Sequence, residues 1–129
     1  MMKVIMVEPG YEARRVNIEG SLENLQAIVG GYIQALYPWD DPVAVLVDED
    51  GKFQGYLPNR VLFDEDDEPY DLLVGTFLIV GLTEDDFGSL SDELAEKYLE
   101  KFRYPERFLR LPDGHVLMLR ADGTKKQII

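Results

Sequence analysis

Three short apolar runs constrain this chain more than any other feature: Lys3-Val4-Ile5-Met6-Val7, Val43-Ala44-Val45-Leu46-Val47 and Thr76-Phe77-Leu78-Ile79-Val80. Each is too short for a core helix and does not alternate, which is the signature of a buried strand. Gly75 joins the third run to Leu72-Leu73-Val74, making the most apolar stretch of the chain. That stretch is expected to be the central strand, with Gly75 marking a bulge or a close packing approach.

The remaining segments read as cover and edges for such a sheet. Arg14 to Ile18 alternates and suits a short edge strand. Ser21 is placed to cap a helix, because its hydroxyl can accept from orphan N–H groups of the first turn. Leu22, Leu25, Ile28 and Val29 then share one helical face, and Gly30-Gly31 ends it. Tyr32 to Tyr37 is a strand closed by Pro38. Lys52 to Tyr56 alternates after Asp50-Gly51, which predicts a hairpin with the 43–47 strand. Leu57-Pro58-Asn59-Arg60 then leaves the sheet. A second helix is expected from Ser89 to Phe102, with Ser89 and Asp92 as a capping box and Leu94, Ala95, Tyr98, Leu99 and Phe102 on its inner face. Phe108–Leu111 and His115–Arg120, joined by Pro112-Asp113-Gly114, form a terminal hairpin. The expectation is one α+β domain over residues 1–129, a mostly antiparallel sheet with two packed helices. The tail from Thr124 to Ile129 is basic and apolar, suited to dock on an acidic face or to fray.

Charge narrows the function. The chain has 129 residues, 25 acidic and 13 basic, for a net charge of −12. Nonspecific binding to nucleic acid needs Lys and Arg to displace counterions from phosphate, so direct nucleic-acid binding is disfavoured. Anionic membrane is disfavoured on the same ground, and no apolar run nears the roughly 18 residues that span a bilayer. The absence of cysteine removes thiolate and disulfide chemistry and fits a cytoplasmic protein. The charge is uneven: residues 1–39 carry net −1, residues 40–100 net −15, and residues 101–129 net +4. The acids cluster at Asp48 and Asp50, at Asp64, Glu65, Asp66, Asp67 and Glu68, and at Glu84, Asp85 and Asp86. Such a layout can steer a positively charged partner, or can serve only to keep the fold soluble.

Catalytic machinery is thinly supplied. His115 is the one histidine and follows a turn, while Ser21, Ser89 and Ser91 stand at helix starts where capping accounts for them. One histidine excludes a multi-histidine zinc site. Asp48-Glu49-Asp50-Gly51 fails as a calcium loop, because Leu57 occupies the position where a bidentate Glu is required. The Asp64–Glu68 run suits at most weak cation binding. No phosphate-cradling glycine loop is present, and Gly30-Gly31 ends a helix rather than opening one. No catalytic residue, metal or cofactor is therefore assigned, and the pattern points away from an enzyme. Asn59 and Arg60 remain of interest, since an Arg beside an Asn at a strand exit can grip a carboxylate or phosphate. The plainer alternative is that Arg60 pairs with the acids around it.

Several stretches in order resemble one family: Ser21-Leu22-Glu23-Asn24-Leu25-Gln26 running into Val29-Gly30-Gly31-Tyr32-Ile33, then Leu57-Pro58-Asn59-Arg60, Gly75-Thr76-Phe77-Leu78-Ile79-Val80-Gly81, and Asp86-Phe87-Gly88-Ser89-Leu90. Together they resemble domain of unknown function 3846, across roughly residues 3–105. Gln34 departs from the acid expected there in many members. The resemblance implies an accessory protein of phages, plasmids and conjugative elements of Firmicutes, and implies no activity. Two functional expectations follow, and a third, a regulator acting by protein contact without charge dependence, stays open beside them. One is a non-catalytic module whose acidic middle segment engages a basic or DNA-binding protein, as a DNA mimic would. A mimic needs carboxylates spread along an extended face, and acids on separate loop tips count against it. The other is a small-ligand site, or a cryptic enzyme, near Asn59, Arg60, Gly30 and Gly31, which needs a concave pocket with converging polar groups.

Overall fold

The computed structural model describes all 129 residues. Eleven strands and two helices follow in the order β1 (Met2–Val7), β2 (Arg14–Ile18), α1 (Leu22–Val29), β3 (Ile33–Leu36), β4 (Val43–Asp48), β5 (Pro58–Phe63), β6 (Pro69–Val74), β7 (Phe77–Leu82), β8 (Phe87–Gly88), α2 (Asp92–Lys101), β9 (Glu106–Arg110), β10 (Val116–Arg120) and β11 (Lys125–Gln127). The main sheet runs β2-β1-β7-β4-β3, with β8 paired to β7. A β5–β6 ribbon and a β9–β10–β11 sheet complete the fold, and every pairing is antiparallel. The class is α+β, as the patterning implies.

The three apolar runs are β1, β4 and β7, adjacent in the centre of the main sheet. They lack alternation because both faces are covered. Ile5, Val7, Val43, Val45, Val47, Phe77 and Ile79 pack toward α2 and the β5–β6 ribbon. Val4, Ala44, Leu46, Leu78 and Val80 pack toward Leu25 and Val29 of α1. On the α2 side, Trp39 lies 4.7 Å from the Tyr98 ring and 5.9 Å from Phe102, and donates its indole N–H to the Phe63 carbonyl. Helix α1 starts and stops where its sequence says. The Ser21 hydroxyl accepts from the Asn24 amide, and Gly30 takes a left-handed conformation at the C-terminus.

Four expectations are corrected. Residues 52–56 are not a strand: Gly51–Phe53 forms one turn of 3-10 helix, and β4 pairs instead with β3 and β7. Leu57-Pro58-Asn59-Arg60 does not leave a sheet but opens β5. The apolar stretch around Gly75 is two strands in two sheets, because Gly75 at φ +71° turns the chain between β6 and β7. Helix α2 is capped by Ser91, whose hydroxyl accepts from the Leu94 amide, while Ser89 accepts from the Lys3 amide and fixes the helix entry to β1. The tail pairs with β10 as β11, and Lys126 reaches the carbonyl and carboxylate of Asp67.

Candidate functional site

Asn59 and Arg60 sit on β5 with no solvent exposure at all. The Arg60 guanidinium donates to the carbonyls of Phe102 and Tyr11 and to the side-chain and main-chain oxygens of Asn59. Its bonds go to carbonyl oxygens and not to the acid excess around it. Phe102 caps the C-terminus of α2, where the helix dipole is negative, so the buried charge meets partial compensation. Burial still pulls the guanidinium down to about 10, which leaves it charged near neutral pH. Asn59 donates to Val7 O and Gly75 O, clamping β5 to the end of β1 and to the Gly75 turn. Both side chains are spent on the fold, and no buried side-chain polar atom is left without a partner.

Gly30 and Gly31 lie beside a different pair. The Asp48 carboxylate, at the end of β4, accepts from the Tyr56 hydroxyl at 3.0 Å and from the Asp50 amide at 2.9 Å. A side chain at Gly30 would overlap the Tyr56 hydroxyl, one at Gly31 would come within 2.9 Å of Asp48, and one at Gly75 within 2.7 Å of the Tyr56 ring. Gly51 completes the cradle, with the ring 3.7 Å from where its Cβ would be. Three glycines from separate turns thus admit one tyrosine, and Gly31 leaves room for its Asp48 partner. The bond to Asp48, aided by burial, pushes the Tyr56 phenol upward, so it stays protonated and acts as a donor.

Three clefts surround the 49–57 connection that carries this tyrosine. The largest, about 440 Å³, is walled by Tyr56, Val61, Tyr70, Leu72, Val74, Ile128 and Ile129, with the Lys52–Asp71 ion pair beside it. A cleft of about 270 Å³ shares Lys52, Asp71, Leu72 and Val74 and is closed by Gln34, Asp48 and Phe53. A third, about 280 Å³, lies against Pro9, Ile28, Gly30, Leu57 and Thr76, and Tyr56 separates it from the first. Phe53 at the tip of the connection is 89% exposed.

The acidic residues divide between two ends of the main sheet. Asp48 is buried, with Glu49 and Asp50 exposed next to it, at the C-terminal end of β4. At the other end, the Asp40 amide donates to Glu65, and the Leu82 amide donates to the Pro42 carbonyl. Residues 40–42 thereby draw the Asp64–Glu68 turn and the Glu84–Asp86 turn to the same end. Several of these groups serve locally: Asp64 accepts from the Asp66 and Glu68 amides, and Asp86 from the Phe87 amide. Asp41 accepts from Lys97 and from the Tyr98 hydroxyl, contacts that hold its carboxyl below the usual carboxylate range. His115 is exposed before β10, near the Ile129 carbonyl, Gln127 and Asp113. No three His, Asp or Glu side chains converge in a geometry that could hold a metal ion. No helix is long and apolar enough to cross a membrane.

The family model described as Domain of unknown function (DUF3846) matches residues 2–103. The chain belongs to this family. No curated protein and no solved structure matches it. Within the DUF3846 region, three of the stretches that carry the resemblance meet at one place: Val29-Gly30, Leu57 and Gly75-Thr76 all line the 280 Å³ cleft. The sheet β9–β10–β11 lies beyond the matched DUF3846 residues, and the chain following it supplies Ile128 and Ile129 to the largest cleft. Tyr56, Tyr70, Ile128 and Ile129 escaped the sequence reading. Their only signal was spatial, the arrival of Gly30, Gly51 and Gly75 around one ring.

Proposed function

We propose that this DUF3846 protein is a non-catalytic binding protein. Its ligand is a flat, mainly apolar small molecule held in the cleft beside Tyr56. The observation that supports this reading is the cleft of about 440 Å³, with two tyrosines, five aliphatic walls and a single ion pair next to it. Volume and lining of that kind are typical of small-molecule sites. Tyr56 is held by its glycine cradle and by Asp48, so the wall is preorganised and binding costs little ordering. The Lys52–Asp71 pair offers a cation and a carboxylate to one polar group on the ligand. The reading shifts the site from Asn59 and Arg60 to the surface they support. The test is an NMR titration with flat aromatic fragments such as indole and benzimidazole. Amide shifts confined to residues 52, 56, 61, 70–74 and 128–129 sustain the proposal, and shifts scattered over the surface overturn it.

A second reading is favoured by a separate observation, the gathering of the 64–68 and 84–86 turns at one end through residues 40–42. This end would engage a basic, DNA-binding protein, in the manner expected of a mobile-element accessory protein that mimics DNA. The Asp48–Asp50 turn at the opposite end shortens the array such a mimic would present. Capture of a DNA-binding protein that is released both by salt and by competing duplex DNA would support this reading. Capture indifferent to both would remove it.

A further inference from the structure

We propose that the chain pairs with a second copy of itself through the free edge of β3, joining two main sheets into one. The inference rests on the sheet edges and not on the cleft. The main sheet has two edge strands, β2 and β3. Unprotected edges are docking sites for another strand, and proteins blunt them with charge, proline or cover. Edge β2 is blunted: exposed Arg14 and Arg15 stand on it, paired with Glu8 and Asp92. Edge β3 is not. From Tyr32 to Tyr37 it carries no charge and no proline, in a chain where 29% of residues are charged. Tyr32 is 71% exposed and Tyr37 58% exposed, one at each end of the strand.

The hydrogen-bond pattern shows which groups are free. The Glu49 amide donates to Tyr32 O, so Tyr32, Gln34 and Leu36 turn their main-chain groups toward β4. Ile33 and Ala35 therefore turn theirs outward, where the sheet has no further strand. None of the loop, turn or side-chain hydrogen bonds reaches these two residues. An antiparallel copy must match outward residues with outward residues, and the greatest overlap of the two strands then puts the two-fold axis at Gln34 or Ala35. With the axis at Ala35, Ile33 of each copy faces Tyr37 of the other. Both registers bring uncharged residues opposite one another, so no like-charge pair forms within the new ladder. Each copy carries net −12, and this edge is a place where two copies can meet without opposing acids. The occupant is thus a second copy rather than a basic partner, since the edge offers no charge to complement. The remaining repulsion acts at longer range and is screened by salt, so pairing strengthens as ionic strength rises.

Sedimentation velocity over increasing concentration, up to about 1 mM, tests this at low and moderate salt. The expected result is a monomer–dimer equilibrium that shifts toward dimer with salt. Hydrogen exchange at the Ile33 and Ala35 amides should slow in step with it. Gln34→Glu, at an exposed position, places like charges beside the axis and should weaken pairing about tenfold. Ala35→Pro removes an outward donor and should abolish it. A monomer at all concentrations overturns the proposal. So does a dimer in which these two amides stay unprotected, or one that Gln34→Glu leaves unchanged.

Discussion

Replacing Gly75 by alanine tests the packing around Tyr56. Gly75 has φ +71°, a conformation that costs an L side chain about 1–2 kcal/mol. Gly55 has φ +75° and nothing within 4 Å of a Cβ built there, so Gly55→Ala isolates the backbone cost. At Gly75 the new methyl would come within 2.7 Å of the Tyr56 ring, close to its Cβ, where the ring has least room to give. The ring must move, and its bond to the Asp48 carboxylate is lost. A hydrogen bond to a charged group contributes about 1.5–3 kcal/mol. Gly75→Ala should therefore destabilise by about 2.5–5 kcal/mol, against about 1–2 for Gly55→Ala. Urea unfolding measures both as shifts of the midpoint at constant slope. In a Tyr56→Ala background the excess at Gly75 should vanish, because the ring it collides with is gone. Equal losses for the two glycine variants, or an excess that survives Tyr56→Ala, would refute the reasoning.

Three further outcomes are expected. Arg60→Lys keeps the charge but cannot reproduce the guanidinium's fan of bonds to Phe102, Tyr11 and Asn59, and should cost about 3–5 kcal/mol by urea unfolding. Asp41 has its folded-state pKa lowered from 3.8 by Lys97 and Tyr98, so its contribution is complete above that value and is lost as pH falls through the folded pKa. Asp41→Asn should accordingly flatten the acid limb of a melting-temperature profile while lowering stability at neutral pH. Deleting residues 124–129 removes the Lys126–Asp67 contact and two walls of the largest cleft, and should weaken fragment binding without unfolding the main sheet, as read by calorimetry and circular dichroism.

The central sheet was legible because apolar runs report burial directly. Val43 to Val47 and Phe77 to Val80 have nothing to offer water, and they lie at its centre. Caps were legible where one local contact decides them, as at Ser21 and Gly30. The misreadings share a cause. Alternation in Lys52 to Tyr56 matches a strand, yet Tyr56 is held by glycines up to 26 positions away in sequence, and the chain turns to deliver it. Arg60 reads either as a ligand grip or as a partner for nearby acids, because a sequence does not show the carbonyls of Phe102 and Tyr11 waiting for it. Of the two readings its place in the sequence allows, a bulge or a close packing approach, Gly75 is the close approach, but the same residue also separates two sheets, which only tertiary pairing reveals. Charge clustering was plain from composition, whereas its division between two ends of β4 required the topology.

The most direct test of the binding reading is calorimetric titration of one shift-inducing fragment into the wild type and into Val74→Trp, whose indole fills the cleft beside Tyr56. Val74 is half-buried at the end of β6, so the larger ring can extend into the cleft without entering the core. The account predicts saturable one-to-one binding to the wild type and loss of at least about tenfold in affinity for the variant, at unchanged melting temperature. Equal affinity for the two proteins, or no saturable heat with either, would contradict it.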